Sequence, residues 1–356
     1  MSVLVTGGAG YIGSHVVRLL QERGEQVVVV DDLSNGRAGR VGDAPLIQLD
    51  LATDAAPATL ADAFAEHAVD SVIHFAARKQ VGESVQQPAR YWSQNVGGMA
   101  HLLQAMGDVG VRNLVFSSSA ATYGAPDVDL VREDGPAQPI NPYGQTKLVG
   151  EWMTRAGGIA WGLRSANLRY FNVAGAGWPD LGDAAVMNLI PIVFTALDAG
   201  RAPVVFGGDY PTPDGSAVRD YVHVLDLARA HLVALDHLGA AGEAVNGVVV
   251  DRAGKDEVAG KDKVAGKGEV GGKDEVGVHG VYNVGTGAGA SVFEVLAVIR
   301  EVTGIDVEPD VRERRAGDPP QLVADVSRIT SDLGWSATRD LTDIVSTAWE
   351  AWRASH

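Results

Sequence analysis

Residues 3–13 of this 356-residue chain read Val3-Leu4-Val5-Thr6-Gly7-Gly8-Ala9-Gly10-Tyr11-Ile12-Gly13. The apolar run predicts a buried strand, and the glycines at positions 7, 10 and 13 predict a tight turn that opens a helix. Such glycines let the backbone approach a pyrophosphate at the helix N-terminus. A glycine motif alone also fits an ordinary turn. Its place between a first strand and a first helix favours a dinucleotide site.

Short apolar runs alternate with helical segments through the first half of the chain. We predict strands at Val3–Val5, Val27–Val30, Leu46–Ile47, Val72–Phe75, Leu114–Phe116 and Ala166–Leu168. We predict helices near residues 11–23, 57–66, 88–109 and 142–156. Apolar strands that alternate with helices are buried on both faces, so the predicted fold class is α/β with a doubly wound, parallel sheet of the Rossmann type.

The pattern becomes irregular after about residue 175. Helices near residues 186–199, 225–238, 291–303 and 341–353 are separated by short strands, one of which is Val281–Val284. We therefore predict a dinucleotide-binding domain over residues 1–175. A smaller, mixed α/β substrate-binding lobe would cover residues 176–356, with some of its segments packing back on the first domain.

Residues 253–276 consist of four consecutive hexapeptides that resemble Ala-Gly-Lys-Asp-Glu-Val. They contain too few apolar side chains to offset the entropy lost when the backbone is ordered. We predict a disordered surface insertion that the fold tolerates. A binding module built on these repeats is the alternative.

The composition excludes several classes of protein. The formal net charge of −16 disfavours nucleic acid and anionic membranes as partners. Cysteine is absent, so disulfide and thiolate chemistry are excluded. No stretch approaches about 18 apolar residues, and residues 1–6 do not resemble a secretion signal. We therefore expect a soluble cytoplasmic protein with no membrane span, and we predict no metal site.

Polar side chains follow several predicted strands at one edge of the sheet. Asp31 and Asp32 lie about 20 residues after the glycine turn, where an acid accepts hydrogen bonds from an adenine ribose and repels a 2′-phosphate. NAD is therefore favoured over NADP. Asp50 would reach the adenine, and Phe75-Ala76-Ala77 would let the backbone approach the cofactor. Lys79 is predicted to donate to the cofactor, although a solvated loop charge is an alternative.

Lysine is rare in this chain: two of the seven lysines lie outside residues 253–276, whereas arginines number 22. One of the two is Lys147, four residues after Tyr143. Positions i and i+4 share a helix face, so phenol and ammonium would project into one site. A nearby cation lowers the pKa of a tyrosine, which predicts a proton-transfer pair. A lysine that snorkels beside a half-buried tyrosine is the alternative.

The run Ser117-Ser118-Ser119 follows the predicted fifth strand and completes a Ser-Tyr-Lys set at the ligand-binding edge. With this set the chain resembles the extended short-chain dehydrogenase/reductase family, and within it the UDP-hexose 4-epimerases. The most specific match is GGDYPTPDGSAVRDYVHV at residues 207–224. The other matching segments are residues 7–15, 31–36, 74–84, 116–124, 141–147 and 169–175.

The resemblance implies NAD-dependent interconversion of UDP-galactose and UDP-glucose, and a homodimer. Tyr143 would take the proton of the sugar 4-hydroxyl while C4 gives a hydride to NAD. Lys147 would hold the nicotinamide ribose and lower the tyrosine pKa, and Ser119 would hydrogen-bond the reacting oxygen. The 4-keto sugar would then turn in the pocket and receive the hydride on its other face. Tyr123 would assist near the sugar or simply pack.

The resemblance also implies which residues bind the two ligands. The cofactor-binding set is Gly7, Gly10, Tyr11, Ile12, Gly13, Asp31, Asp32, Leu33, Ser34, Asn35, Gly36, Asp50, Leu51, Phe75, Ala76, Ala77, Lys79, Gln94, Asn95, Ser117, Tyr143, Lys147 and Phe171. Which of Gln94 and Asn95 touches the cofactor stays open. The substrate-binding set is Ser119, Tyr143, Asn172, Asn188, Val204, Val205, Phe206, Arg219, Arg315 and Asp318.

Arginine suits a diphosphate because its guanidinium donates two parallel hydrogen bonds. Arg219 could instead form an ion pair with Asp220, and Asn172 could satisfy buried polar groups. Residues 175–188, which include Asn188, form a shorter loop than is usual in the family.

Leu322 stands where some relatives have a tyrosine that limits the sugar 2-substituent, so UDP-N-acetylhexosamines remain open as substrates. Ala120 and Ala121 replace the carboxylate that related dehydratases place after the serine, which disfavours their chemistry. A UDP-glucuronate 4-epimerase is the enzymatic alternative. A non-catalytic NAD-binding regulator is the alternative of another class.

Overall fold

A computed structural model describes residues 1–244, 278–306, 308–315 and 317–356, so the predicted insertion at residues 253–276 lies outside the described residues. The strands are β1 (Ser2–Thr6), β2 (Gln26–Asp31), β3 (Leu46–Gln48), β4 (Ser71–His74), β5 (Asn113–Ser117), β6 (Arg164–Tyr170), β7 (Asn172–Ala174), β8 (Val204–Phe206), β9 (Val218–His223), β10 (His279–Val284), β11 (Gly289–Ser291), β12 (Asp310–Arg312) and β13 (Gln321–Leu322). The α-helices are α1 (Tyr11–Glu22), α2 (Ala56–Glu66), α3 (Val81–Gln86), α4 (Pro88–Tyr91), α5 (Gly98–Val109), α6 (Pro142–Trp161), α7 (Leu189–Asp198), α8 (Val224–Ala244), α9 (Val292–Thr303), α10 (Ser327–Leu333) and α11 (Leu341–Ser355).

Seven parallel strands form the central sheet in the order β10-β6-β5-β4-β1-β2-β3. The chain runs outward from β1 through β2 to β3 and then returns to β4 on the other side of β1. The order therefore reverses between β1 and β4, which leaves a crevice at the carboxyl ends of these two strands. The predicted doubly wound parallel sheet is confirmed.

Helices cover both faces of the sheet because the central strands are apolar on both faces. Helices α1 and α8 pack on one face, where Val5, Leu20 and Leu235 are buried in one cluster. Helices α2 and α5 pack on the other, around Leu4 and Leu102. Full burial of one such side chain contributes roughly 1.5–3 kcal/mol. The sheet is thus a rigid platform for the groups at its edge.

The second lobe is built from shorter strands. Strand β9 pairs with β7 and β13 in parallel and with β11 in antiparallel orientation, while β8 pairs with β12. Helices α7, α9 and α11 enclose an apolar cluster that includes Phe194, Ile299 and Trp352. Strand β10 and helix α8 come from the second half of the chain but pack on the central sheet.

One predicted helix is divided in the structure. The segment predicted as a helix over residues 88–109 consists of α4, a π-helical turn at Trp92–Gly97, and α5. The period of apolar residues cannot show this insertion, because a π turn widens the helix by one residue without ending it. The consequence is local: the turn presents Gln94 and Asn95 toward the carboxyl edge of the sheet.

Candidate active site

A cleft of about 570 Å³ opens above the carboxyl ends of β1, β2 and β4, where the strand order reverses. The glycine-rich turn after β1 forms one wall. Tyr143 and Lys147, from the first turns of α6, line the cleft on the side of β5 and β6. The topology therefore brings the two predicted features, the glycine turn and the tyrosine–lysine pair, to one cavity.

The glycine turn is closed so tightly that side chains would not fit. Gly7 has φ of +70°, and a Cβ there would lie 2.7 Å from the amide nitrogen of Ala76. A Cβ at Gly13 would lie 2.3 Å from the carbonyl oxygen of Gly7. The first amides of α1 have no intrahelical partner, and neither a side-chain cap nor an acidic residue occupies its first turn. This cradle of free amides fits the pyrophosphate of a dinucleotide.

The two acids after β2 have different roles. Asp31 is buried, and its carboxylate accepts hydrogen bonds from the backbone nitrogens of Ala9 at 3.0 Å and Leu33 at 2.8 Å. Burial raises the pKa of Asp31, and these backbone hydrogen bonds oppose that rise. Asp32 is more exposed and accepts hydrogen bonds from Ser34. Asp31 therefore ties the glycine turn to the β2 loop. Both acids line the cleft, and Asp32 is the more exposed of the two.

Most members of the predicted cofactor set line the cleft. They are Gly7, Gly10, Tyr11, Ile12, Gly13, Asp31, Asp32, Ser34, Asn35, Gly36, Asp50, Leu51, Phe75, Ala76, Ala77, Lys79, Gln94, Tyr143 and Lys147. Within the π-helical turn, Gln94 lines the cleft and donates to the Asp50 carboxylate at 3.1 Å. Asn95 instead joins the main chain of Arg78 to the hydroxyl of Thr146.

Three other predicted cofactor contacts lie away from the cleft surface. The Leu33 side chain packs against the cluster between β1, α1 and α8. Ser117 is buried, and its hydroxyl donates to Tyr170 at 2.9 Å. Phe171 packs with Ala120 and its neighbours in a separate cluster. With Asn95, these are the members of the set that do not line the cavity.

Several lining residues were not predicted from the sequence. They include Arg37, Arg40, Arg78, Arg90 and Tyr170. Arg78 pairs with Asp32 at 3.2 Å and donates to the Ser34 hydroxyl at 3.0 Å, so it lies across the β2 loop. A signal for Arg78 was available, because it lies between two predicted contacts, the small residues after β4 and Lys79. Tyr170 ends β6 and lies within residues 169–175, which match the family, so this resemblance was a signal for it.

Helix α6 begins at the residues that cap it. The Asn141 side chain caps α6 by accepting from the backbone nitrogen of Gly144 at 2.9 Å, and Pro142 occupies the first turn. Tyr143 is thereby in the first turn and Lys147 one turn later, both buried. This burial rules out the alternative of a lysine that snorkels to the surface.

Ser119, Tyr143 and Lys147 meet at the end of β5. Ser119 lies close enough to the phenol of Tyr143 to act on it and lower its pKa. The Lys147 ammonium donates to the carbonyl oxygen of Ser117 at 2.7 Å and lies 6.0 Å from the centre of the Tyr143 ring. Phenol, hydroxyl and ammonium thus face one point, as proton transfer to or from a bound hydroxyl requires.

The predicted lowering of the Tyr143 pKa is not found; the pKa is raised instead. Burial raises the pKa of Tyr143 well above its ordinary value, Tyr170 adds to this, and Ser119 opposes it. Burial also lowers the pKa of Lys147 to about 7, with Glu151 acting in the opposite direction. The reason is that desolvation penalises both charged forms, and the ammonium is directed to a backbone carbonyl rather than to the phenol.

The predicted substrate residues occupy paired strands of the second lobe. Asn172 on β7 is opposite Tyr221 on β9, and Leu322 on β13 is opposite Arg219, also on β9. Residues 219 and 221 point to the same face of β9. The ion pair of Arg219 with Asp220 does not form: Asp220 is buried and accepts from the backbone nitrogens of residues 286, 287 and 324.

Other predicted substrate residues lie nearby or elsewhere. The Arg315 guanidinium lies 3.9 Å from the centre of the Phe206 ring, at the end of β8. Val205 is buried in the core of the lobe, whereas Val204 and Asp318 are more accessible. Asn188 lies at the start of α7 and donates to Asp183 at 2.7 Å. It lines a neighbouring cavity of about 280 Å³ rather than the cleft.

Tyr123 packs rather than faces the cleft. Its hydroxyl donates to Asn283 at 2.6 Å, and the Arg169 guanidinium lies 4.7 Å from its ring centre. In the part of the chain that the structure describes, no group of three or more His, Cys, Asp or Glu residues is arranged to hold a metal ion. Within the same ranges, no helix is long and apolar enough to cross a bilayer.

Comparison with known proteins gives a consistent result. Residues 3–246 match the model of the NAD dependent epimerase/dehydratase family. The UDP-glucose 4-epimerase of Corynebacterium glutamicum is 41% identical over 354 residues, which cover 98% of this chain and 95% of that protein. A crystal structure of UDP-glucose 4-epimerase from Brucella ovis in complex with NAD is 39% identical, with a TM-score of 0.83 and coverage of 98% and 97%. A structure of the Stenotrophomonas maltophila enzyme with bound NAD and formylated UDP-arabinopyranose is 38% identical, with a TM-score of 0.84 and coverage of 100% and 98%.

Proposed function

The chain belongs to the NAD dependent epimerase/dehydratase family, and from this premise we propose that it interconverts UDP-galactose and UDP-glucose by inverting C4 of the sugar. It is an NAD-dependent UDP-glucose 4-epimerase. The observation that carries this function is the placement of Tyr143 and Lys147, beside Ser119, on the cleft that the glycine turn closes. The full-length similarity to enzymes of that name supports it.

The cleft fits NAD. The free amides at the start of α1 would hold the pyrophosphate, and Asp32 would accept from the adenine ribose. The small side chains of Ala76 and Ala77 leave room beside the turn. When bound, NAD supplies the hydride acceptor and donor that inversion at C4 requires.

Proton transfer is the task of the chain's own residues. Tyr143 takes the proton of the sugar 4-hydroxyl and returns it when the carbonyl is reduced. Ser119 would donate its single hydroxyl proton to the same oxygen, beside the phenol. The Lys147 ammonium, directed to the Ser117 carbonyl, lies close enough to favour the phenolate as it forms. The burial that raises the tyrosine pKa also makes this charge interaction stronger than it would be in water.

The diphosphate of the substrate needs cationic donors, and the second lobe offers two. On β9, Arg219 points to the same face as Tyr221, the residue that is opposite Asn172. Arg315 stacks on the ring of Phe206. We place the uridine beside Phe206 and the diphosphate between the two guanidinium groups. Asn172 would contact the sugar at the mouth of the cofactor cleft.

A second candidate substrate is favoured by one observation. Leu322 is opposite Arg219 in the β13–β9 pairing, so an aliphatic side chain, smaller than a tyrosine, lies beside the proposed diphosphate site. A branched aliphatic residue leaves more room than an aromatic ring for a 2-acetamido group. UDP-N-acetylhexosamine 4-epimerisation is therefore the activity to test beside the first.

Product analysis tests the function directly. The purified protein is offered UDP-galactose, UDP-N-acetylgalactosamine and UDP-glucuronate separately, with no NAD added. We expect UDP-glucose from the first, because the cofactor is regenerated in each turnover. Bound NAD without any product would instead support a non-catalytic regulator.

We further propose a cytoplasmic homodimer that serves galactose metabolism. The resemblance to the UDP-hexose 4-epimerases supports each part of this proposal. Analytical ultracentrifugation of the purified chain tests the dimer.

A further inference from the structure

Three functional groups lie one turn apart along α6. Tyr143, Lys147 and Glu151 occupy positions i, i+4 and i+8, which share a helix face, and all three side chains are buried. The first two belong to the proposed catalytic set. The third is a carboxylate that the proposed reaction does not use. A charged group in this place needs a physical reason, because burial of a carboxylate is costly unless it is paired.

Glu151 is held from two strands. The hydroxyl of Ser118, at the end of β5, donates to its Oε1 at 2.5 Å. Arg169, on β6, donates from Nε to Oε1 at 2.8 Å and from Nη2 to Oε2 at 2.6 Å. Both carboxylate oxygens are therefore engaged, and the group has a fixed position and a fixed charge.

The end of β5 connects the three groups of α6. Three consecutive residues each face a different one: the Ser117 carbonyl accepts from Lys147, the Ser118 hydroxyl donates to Glu151, and Ser119 lies beside Tyr143 and lowers its pKa. A displacement of Ser118 would also displace Ser117 and Ser119, because both are joined to it by peptide bonds. The geometry of the catalytic set thus depends on the Glu151 contact.

We propose that Glu151 is a positioning residue for the epimerase reaction, which fixes the end of β5 against α6 and keeps Lys147 in its ammonium form. The inference rests on the proposed function. Glu151 does not touch the cleft and has no direct part in proton transfer. It acts through Ser118 and through its charge.

The surroundings of Lys147 support the charge effect. Burial lowers the pKa of Lys147 to about 7, and the carboxylate of Glu151 opposes this. His74, on β4, is buried, and its pKa is lowered to about 3, so it stays neutral. The other groups around this point are the uncharged Tyr143 and Tyr170. The Arg169 guanidinium is bound to Glu151 on the side of β6.

The chain suits a direct titration of Lys147. Of the two lysines in the described ranges, Lys79 is exposed and Lys147 is buried. In purified protein labelled with ¹³C at lysine Cε, NMR should show one lysine that titrates near pH 7, assigned by its loss in Lys147→Met. We expect Glu151→Gln to move this midpoint downward by about one pH unit, because a neighbouring opposite charge typically shifts a pKa by about 1–3 units. An unchanged midpoint would overturn the proposal.

Further variants separate the charge from the fold. Glu151→Gln leaves Arg169 buried without its anion, which can unfold the protein. The double variant Glu151→Gln/Arg169→Gln removes both charges, and the midpoint should still fall, since Glu151 is one turn from Lys147. Glu151→Asp keeps the charge and should keep the midpoint near that of wild type. Glu133→Gln is the matched control: Glu133 is also buried and pairs with Arg328, but it is not on α6. An equal fall in Glu133→Gln, or in Glu151→Asp, would contradict the inference.

A second measurement connects the titration to catalysis. The rate of UDP-galactose conversion should fall as pH rises through the Lys147 midpoint, because the ammonium is lost. In Glu151→Gln this fall should occur at lower pH, with kcat reduced more than KM is raised. If wild type makes no UDP-glucose, the proposed function fails. The NMR titration would still decide whether Glu151 controls the charge of Lys147.

Discussion

The cofactor cleft and the second lobe position their functional residues by different means. At the carboxyl edge of the sheet, the glycine turn, Asp32 and Ser119 each follow a strand of one parallel sheet, so the topology alone gathers them there. In the second lobe, Arg219 and Leu322 are brought together by the pairing of β9 with a strand about a hundred residues later. The first arrangement can be inferred from local patterns, whereas the second requires knowledge of long-range pairing.

The two regions also differ in how well they would accommodate a side chain in place of a glycine. The glycine turn is packed backbone against backbone, and a Cβ at Gly13 would meet main-chain atoms of residues 7 and 8. In the second lobe, a Cβ at Gly208 would meet only the side chain of Val311, at 3.0 Å, and that valine is half exposed. The glycine turn is therefore fixed by backbone packing, whereas the surroundings of Gly208 consist of a side chain that can adjust.

The largest expected effect is the loss of the catalytic phenol. Tyr143→Phe should lower kcat for UDP-galactose about 10³-fold, the effect typical of removing a positioned general base, with the fold unchanged. Tyr210→Phe in the second lobe is the matched control, because its buried hydroxyl has no hydrogen-bond partner among the described residues. Steady-state kinetics compares the two. A Tyr143→Phe variant within tenfold of wild type would show that the cleft is not the reaction site.

The sheet could be predicted from the sequence because its strands carry unbroken apolar runs. Val27–Val30 and Leu114–Phe116 are buried on both faces, and turn residues bound them. The role of Asp31 could not be predicted, since a carboxylate after β2 suits both a ribose and a backbone turn. The sequence did not predict that the pKa of Tyr143 is raised. The spacing shows which groups share a helix face, but not how deeply they are buried.

The second lobe shows where prediction from sequence ends. Strands β8, β12 and β13 contain two or three residues each, too few to show a period. Their pairings decide where Arg219 and Arg315 lie, and the resemblance to the family indicated both arginines before any pairing was known. Glu151 was absent from that resemblance, and its contacts with Ser118 and Arg169 are visible only in three dimensions.

A smaller effect should follow from filling the glycine turn. Gly13→Ala should destabilise the protein by about 2 kcal/mol or more, as overpacking of a rigid site does, and should release NAD. Gly208→Ala should cost less than about 1 kcal/mol, since Val311 can move. Urea unfolding measures the stability, and absorbance of the denatured supernatant measures the bound cofactor. Equal destabilisation of the two variants would remove the contrast between the regions.

The smallest effect should come from the second lobe. Arg315→Met removes a guanidinium that stacks 3.9 Å from the Phe206 ring centre. We expect KM for UDP-galactose to rise about tenfold, because one charge-assisted interaction contributes roughly 1.5 kcal/mol, while kcat should change little. Arg315→Lys should recover part of this loss at most, since an ammonium restores the charge but neither the stacking nor the fork.

Arg312→Met is the control for that comparison, because Arg312 is exposed and pairs with Asp310 at 2.7 Å on the same edge strand. Its KM should stay within about twofold of wild type, as surface ion pairs contribute little. If the two variants raise KM equally, general loss of positive charge explains the effect. The second lobe would then attract the diphosphate through its overall electrostatic field rather than bind it at Arg315. The second lobe and the cleft would then differ in how they recognise their ligands as well as in how they are packed.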